Sequence, residues 1–236
     1  MKNLILLLIT IYSVTTFAQK NEFLVSFDSG MFSYTGESVS DKSIIILSDL
    51  NDLNSGYTNN PFGSKKGLSL GLSMNFKRIT KVNTIYSISL GYQSLKSKTE
   101  IESVFFGSLF LLPKNVEGET FLISNGFNFF PSVGKRFILK EIPIDLIGGL
   151  NFDFITSTKE KGKAKDSNGT EYLTSKNRDE TKLDFGPRIQ ISTEYKKYGI
   201  YIGYNAGIVN YKSGYIGGTN SAYSQNIRFG LTYRIK

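Results

Sequence analysis

The chain has 236 residues and a formal charge of +8 at neutral pH, and it contains no Cys, His or Trp. This composition excludes disulfide bonds, nucleophilic sites of the Ser–His and Cys–His types, and His-ligated metal centres. The excess of Lys and Arg suits lipid phosphates or polyanionic sugars as partners, with an ordinary solvated surface as the alternative.

The first 18 residues have the pattern of a secretory signal peptide. Lys2 precedes a mostly apolar run over residues 4–14, and Thr16 and Ala18 occupy the small-residue positions of a cleavage site before Gln19. We therefore expect a signal peptide at 1–18 and one domain at 19–236, with an N-terminal anchor helix as the alternative. Nucleic acid is not an expected partner of an exported protein. No later stretch is long and apolar enough to predict a membrane-spanning helix.

Eight segments alternate between large apolar residues and small or polar ones, which predicts strands with two different faces. Every even position from Leu68 to Phe76 is large and apolar, whereas the odd positions between them are Ser, Gly or Asn. Phe130 interrupts the alternation, and Pro131 predicts a bulge or bend beside it. In chain order, the predicted strands are residues 22–34, 66–77, 84–96, 120–136, 143–157, 181–195, 200–211 and the C-terminal segment from 224.

The connections between these strands alternate between long and short. The long ones are 35–65, 97–119, 158–180 and 212–223, and the short ones are 78–83, 137–142 and 196–199. This asymmetry is typical of outer-membrane barrels, which have short periplasmic turns and long extracellular loops. The sequence therefore predicts an all-β fold: an eight-stranded antiparallel up-and-down transmembrane β-barrel with four long extracellular loops.

Three of the long connections have features of their own. Residues 44–47 are an apolar island, predicted as a short extra strand or as a loop packed on the barrel rim. The apolar run 104–112 is predicted to be a cap, a strand extension above the membrane or a partner-binding patch. Residues 158–180 are so polar and charged that they predict a mobile loop. The candidate loop contacts are Phe105, Phe106, Leu109 and Phe110.

A soluble lipocalin-like barrel is the structural rival, because it has the same number of alternating strands with its apolar face inside. Small polar residues on the second face favour the lumen of a narrow membrane barrel instead. The apolar face carries almost no charge, as contact with lipid requires. Tyrosines near the predicted strand ends suggest an aromatic girdle: Tyr34, Tyr92, Tyr195, Tyr198, Tyr211 and Tyr223.

Charged residues on the small-residue face predict an ion-paired lumen, because a buried charge must be paired or hydrated. Eight strands enclose an interior that side chains can fill, so we expect a plug rather than a wide pore. A narrow ion path or a proton-linked gate is the alternative. The predicted cluster comprises Asp28, Asp145, Asp153, Asp184, Arg188, Glu194, Arg228 and Arg234, with Lys77 as a further candidate.

Five motifs in order along the chain resemble the PorT-like outer-membrane β-barrel family of Bacteroidota. They are FFPSVGKRF at 129–137, LIGGLNF at 146–152, LDFG at 183–186, YIGYNAG at 201–207 and QNIRFGLTYRI at 225–235. The chain ends on Ile235 and Lys236, whereas closing strands of this kind usually end on an aromatic residue that the barrel-insertion machinery reads. The resemblance implies an outer-membrane location and a barrel architecture, and it implies no reaction.

We expect a binding or structural scaffold that acts through its extracellular loops, and we expect no enzyme activity, cofactor or metal. A small pore and a component of a secretion apparatus are the alternatives. The expected partners are outer-membrane lipid, the barrel-insertion machinery, and a protein or glycan bound at the loops.

Overall fold

The computed structural model describes residues 18–47, 52–106, 112–178, 181–214 and 220–236. Residues 1–17 of the predicted signal peptide lie outside these ranges, as do Leu109 and Phe110. Every regular element in the described part of the chain is a strand. The strands are β1 (Ala18–Thr35), β2 (Lys42–Leu47), β3 (Gly56–Thr58), β4 (Lys65–Thr80), β5 (Thr84–Phe106), β6 (Lys114–Leu139), β7 (Ile142–Lys165), β8 (Glu171–Arg178), β9 (Leu183–Tyr195), β10 (Tyr198–Ala206) and β11 (Tyr223–Arg234).

Eight of these strands pair in a closed antiparallel cycle. β1 pairs with β4 on one side and with β11 on the other. From β4 the pairing continues through β5 and β6 to β7, which pairs with β9, and β9 returns to β11 through β10. Closure leaves this main ring without an unpaired edge, which removes a template for aggregation.

The other three strands build a smaller ring above the main one, at the end of the barrel away from the β6–β7 turn. β8 pairs with β7, β3 pairs with β8 and with β2, and β2 pairs in parallel with β5. The long upper parts of β5, β6 and β7 complete this upper ring. Within the described ranges the sheet therefore contains eleven strands, and the predicted count of eight is wrong.

Two of the four predicted long loops, 97–119 and 158–180, are largely strand. β5 extends to Phe106, β6 begins at Lys114, and β7 and β8 occupy most of residues 158–180. The prediction of a mobile loop at 158–180 is wrong because its polar residues hid a strand alternation in which Glu160 and Ala164 point inward and are buried. For residues 44–47, the extra-strand alternative is confirmed, since they belong to β2.

Phe130 and Pro131 disturb the sheet on one side only, because the pairing of β6 with β7 omits both residues between Phe129–Phe152 and Ser132–Gly149. The register of β6 against β5 runs unshifted through Ser89–Phe130 and Ile88–Pro131, so the expected bulge is absent from this pair of strands. Phe130 points inward and is 1 % exposed. The apparent interruption in the alternation is therefore an aromatic side chain inside the barrel, on the same face as its polar neighbours.

Candidate functional site: the interior of the barrel, its outer belt and the upper ring

Arg136 is the centre of an ion-pair network near the lower end of the lumen, at the level of the β6–β7 turn. It stands directly opposite Asp145 across the β6–β7 pair. Its Nε and Nη2 donate to the two Asp145 carboxylate oxygens at 2.6 and 2.9 Å. Nη1 and Nη2 donate to both oxygens of Glu22 on β1, at 3.0 and 2.9 Å. The guanidinium fork thus binds two buried carboxylates, each in the bidentate geometry that makes such pairs strong.

Lys77 and Arg234 complete this lower network. Lys77 Nζ donates to Asp145 at 2.9 Å and to Glu194 at 3.0 Å. Arg234 Nη1 lies 3.1 Å from Glu22 and 3.3 Å from Glu194. Every carboxylate of the lower network therefore has more than one cationic partner, as a group removed from water requires.

A second network crosses the middle of the lumen. The Tyr201 hydroxyl donates to Asp28 at 2.6 Å, and Arg228 lies 3.6 Å from the same carboxylate. Arg228 Nη1 also donates to the side-chain oxygen Oε1 of Gln93 at 2.7 Å, and Gln93 Nε2 donates to Asp153 Oδ1 at 2.8 Å. This middle network ties together strands from opposite walls of the ring and fills the space between them.

Asp184 and Arg188 stand at the same level but have different partners. Asp184 accepts from the Tyr211 hydroxyl at 3.1 Å and from the Ser224 hydroxyl. Arg188 makes no ion pair within the described ranges, and its guanidinium lies 4.2 Å from the centre of the Phe130 ring. A cation–π contact in a desolvated site contributes about 2 kcal/mol, which partly offsets the burial of this charge.

The structure thus divides the predicted lumen cluster into two levels. Asp145, Glu194 and Arg234 belong to the lower network, and Arg234 remains partly exposed. The other predicted members lie at the middle level and are buried: Asp28, Asp153, Asp184, Arg188 and Arg228.

Two members of the lower network were missed by the sequence analysis. Glu22 begins the predicted strand 22–34, and Arg136 ends the predicted strand 120–136. The spacing along each strand was the available signal, because alternate residues of a strand face the same side. Glu22 therefore faces inward with Asp28 on β1, and Arg136 faces inward with Asn128 on β6.

An aromatic cluster closes the lumen above the middle network. It comprises Phe32, Tyr34, Phe62, Leu95, Leu122, Tyr211 and Ala222. The Tyr34 ring lies 5.1 Å from each of Phe32, Phe62 and Tyr211, in edge-to-face geometry. The predicted place of Tyr34 and Tyr211 in the outer girdle is wrong. Tyr34 lies on the inward face of β1, and Tyr211 lies in a turn that directs its ring inside.

Little space remains inside. A cavity of about 20 Å³ lies between Lys77, Phe130 and Tyr201, which is close to the volume that one water needs. Gly230 shows how close the packing is, since a Cβ at this position would overlap the Tyr201 ring. Ion pairs, the aromatic cluster and this close packing together leave no wide channel in the part of the lumen that the structure describes.

The outside of the main ring is a belt of large apolar side chains. Leu72 is 65 % exposed, Met74 is 71 % exposed and Leu231 is 64 % exposed. On β1 the belt runs from Phe23 to Met31, nine residues, which matches the length of a tilted transmembrane strand of about 9–11 residues. Exposed aromatic residues mark its two borders: Phe23, Tyr86, Tyr195, Tyr198 and Tyr233 below, and Tyr92, Phe127, Phe154 and Tyr204 above.

The upper ring has its own interior. Its apolar core comprises Ile45, Leu47, Ile101, Val104, Val116, Ala164 and Tyr172. The buried Glu160 accepts from the backbone N–H and the hydroxyl of Thr58, both at 2.6 Å, and from Arg178 Nε at 2.9 Å. These bonds join β3 to β7 and β8, so the ring is held by both apolar packing and a satisfied charge.

Two of the candidate loop contacts lie at the upper end of β5. Phe105 and Phe106 stand opposite Ile46 and Leu47 of β2. Phe106 packs against the upper core, with its ring centre 6.2 Å from that of Tyr172. Its contacts are internal, whereas a partner-binding role for Phe105 stays a prediction.

The described residues contain neither a helical membrane span nor a cluster of metal-binding side chains. No helix there is long and apolar enough to cross a bilayer. No group of three or more Asp, Glu, His or Cys side chains in those ranges is arranged to hold a metal ion.

No family model matches the chain, and no curated protein matches it. Several solved structures are similar over most of its length. Ail, the attachment invasion locus protein of Yersinia pestis, is 10 % identical with a TM-score of 0.35 and covers 92 % of this chain and 100 % of its own. Neisserial surface protein A is 10 % identical with a TM-score of 0.36, and the match covers 91 % of this chain and 99 % of that protein.

The translocator domain of the autotransporter NalP from Neisseria meningitidis is 9 % identical with a TM-score of 0.33, and the coverage is 92 % of this chain and 89 % of that one. At such TM-scores the similarity carries no argument about this protein. The architecture described above rests on the strand pairing alone.

Proposed function

We propose that the protein is an integral outer-membrane β-barrel with a plugged lumen, and that it serves as a rigid scaffold for binding at its upper ring. The observation that carries this proposal is the reversal of the usual arrangement of polar and apolar residues. Large apolar side chains cover the outside of the main ring, and charged side chains fill its inside. In water this arrangement would expose the whole belt, whereas in a bilayer lipid covers it.

The filled interior supports a structural role over transport. A conducting barrel needs a continuous hydrated path, and the lower network, the middle network and the aromatic cluster occupy three successive levels of the lumen. Catalysis is not part of the proposal, because the chain contains no Cys or His and the carboxylates of the described lumen are engaged with cations, hydroxyl groups or the Gln93 side-chain amide.

The upper ring supports the binding role. It carries three strands that the membrane-spanning ring does not need, and its own core and the buried Glu160 make it rigid. A rigid support for surface loops reduces the entropy lost on binding. A protein or a glycan of the extracellular space is the partner class that we propose for it.

The first experiment tests the membrane location. Leu72 lies at the centre of the belt on β4, so Leu72→Arg should destabilise a lipid-embedded barrel by about 2–4 kcal/mol or block its insertion. In a soluble barrel the same substitution would be harmless, because this side chain is 65 % exposed. Val82→Arg is the matched control, since Val82 is 68 % exposed in the β4–β5 turn.

Folding is read from the gel mobility of boiled and unboiled samples in detergent, and insertion is read from vesicle flotation. Equal behaviour of the two variants would overturn the membrane location.

Planar-bilayer recording of the wild type tests the plug. We expect no steady conductance, and a steady current would favour the small-pore alternative and direct mutagenesis to Arg188 and Asp184.

A further inference from the structure

The outer face of the sheet changes character just above the belt, where β5, β6 and β7 leave the main ring. Tyr92 and Phe127 are paired at the upper border of the belt. Two residues higher, Ser94 and Asn125 form a small polar rung. Two residues higher again, Lys96, Ile123 and Lys159 stand side by side on three neighbouring strands.

The next rung repeats the arrangement. Lys98, Phe121 and Lys161 are direct cross-strand neighbours, with the aromatic ring between the two lysines. Lys96 Nζ lies 5.4 Å from the centre of the Phe121 ring. The two rungs together form a patch with an apolar floor on β6 and lysines on both sides. We call it the basic patch: Lys96, Lys98, Phe121, Ile123, Lys159 and Lys161.

Most of the positive charge of the basic patch is uncompensated. Lys98 bonds to Glu119 at 2.9 Å. Within the described ranges Lys96, Lys159 and Lys161 make no ion pair. Their direct neighbours on the adjacent strands are Ile123, Asn177, Phe121 and Ser175, none of which is acidic.

Carboxylates appear on the outer face of these strands only one rung higher. Glu100, Glu119 and Lys163 share that rung. Above it, Lys165 stands between Glu117 and Glu171 and bonds to Glu171 at 2.7 Å. The described strands therefore separate charge by height: lysines predominate on the two rungs nearer the belt, and mixed charges lie further out.

The dimensions of the basic patch match phosphate groups at the surface of a bilayer. Two strand spacings separate β5 from β7, so Lys96 and Lys159 are about 10 Å apart, and successive lysines on β7 are about 7 Å apart. The first rung begins four residues, about 13 Å along the strand, above Tyr92. Tilt reduces this height, and long lysine side chains can bend back toward the headgroups.

We propose that the basic patch binds a phosphorylated lipid headgroup of the leaflet that surrounds the upper end of the barrel. The lysines on β5 and β7 contact the phosphates, and Phe121 and Ile123 contact the apolar parts of the same lipid. This assignment rests on the membrane location proposed above. It gives the outer face of β5–β7 a task distinct from partner binding at the top of the upper ring.

The test compares two double variants with the same loss of charge. Lys159→Gln/Lys161→Gln removes two of the four lysines of the basic patch, and Lys163→Gln/Lys165→Gln removes two lysines of the same strand that have acidic neighbours. The protein is folded in neutral detergent and titrated with diphosphoryl lipid A or with phosphatidylcholine, and bound lipid is counted by native mass spectrometry. Unboiled gel mobility verifies folding of each variant independently of lipid binding.

We expect the wild type and the Lys163/Lys165 variant to prefer the phosphorylated lipid. The Lys159/Lys161 variant should bind it about 10- to 30-fold more weakly, as the loss of two surface cations predicts. Equal affinity of the two variants, or no preference of the folded wild type for lipid A over phosphatidylcholine, would overturn the proposal while leaving the membrane location intact. Tight binding of inorganic tripolyphosphate without that preference would assign the patch to free phosphates and overturn the lipid assignment.

Discussion

Replacement of Arg136 by Gln should be among the most damaging substitutions in the lumen that keep side-chain size. The guanidinium makes four hydrogen bonds, two to Glu22 and two to Asp145. Glutamine cannot reproduce them, and two buried carboxylates would lose their shared cation. Breaking one buried pair by removing a partner costs about 3–5 kcal/mol.

The remaining cations of the lower network reduce that cost. Glu22 keeps Lys20 at 2.8 Å and Arg234 at 3.1 Å, and Asp145 keeps Lys77 at 2.9 Å. We therefore expect a loss of about 3 kcal/mol, at the lower end of the range for a buried pair. Urea unfolding in detergent micelles, followed by gel mobility and far-ultraviolet circular dichroism, measures the change in the free energy of unfolding.

Lys135→Gln is the control, because this neighbouring residue points outward and is exposed. It should change the free energy of unfolding by less than about 0.5 kcal/mol. If Arg136→Gln were as stable as Lys135→Gln, the lower network would not contribute to stability and the reasoning would fail. A second check is non-additivity: Glu22→Gln should cost less in the Arg136→Gln background than in the wild type.

Two further substitutions test other parts of the molecule. Gly230→Ala should displace the Tyr201 ring and lower stability by about 1–3 kcal/mol. Gly148→Ala should be tolerated, because its Cβ would meet only a backbone oxygen at 3.8 Å. Equal melting temperatures of the two variants would contradict this packing around Tyr201. In the upper ring, hydrogen bonds from Lys114 lower the pKa of Asp166 below its ordinary value of 3.8. Because the pKa is lower in the folded state, the ionised carboxylate stabilises the β7–β8 turn at pH values above 3.8. This stabilisation is lost as the pH falls through the lowered pKa. Amide hydrogen exchange of the turn should therefore stay slow at pH 5 and accelerate in Asp166→Asn, and unchanged exchange in this variant would refute the role of the carboxylate.

Strand alternation in the sequence predicted the main ring well where the two faces differ strongly. From Leu68 to Phe76 apolar and small residues alternate without exception, and this stretch lies in β4 with its apolar face outward. The same rule places Asp28 and Arg228 inside. For residues 158–165 the contrast is of another kind, because Lys occupies every odd position and Thr, Glu, Gly and Ala occupy the even ones. A search for large apolar residues on one face therefore misses this part of β7, although its even positions face inward.

Local pattern is therefore enough to define the strands of the main ring and the polarity of their faces, because strand geometry alone sends successive side chains to opposite sides. Which inward residues meet depends on closure. Glu22 and Arg136 are 114 positions apart, and they contact each other only because the first and sixth strands stand across the same narrow lumen. The upper ring depends on tertiary structure in the same way: β2 and β3 are short strands that become stable only when β5 and β8 offer them edges to pair with and a shared apolar core.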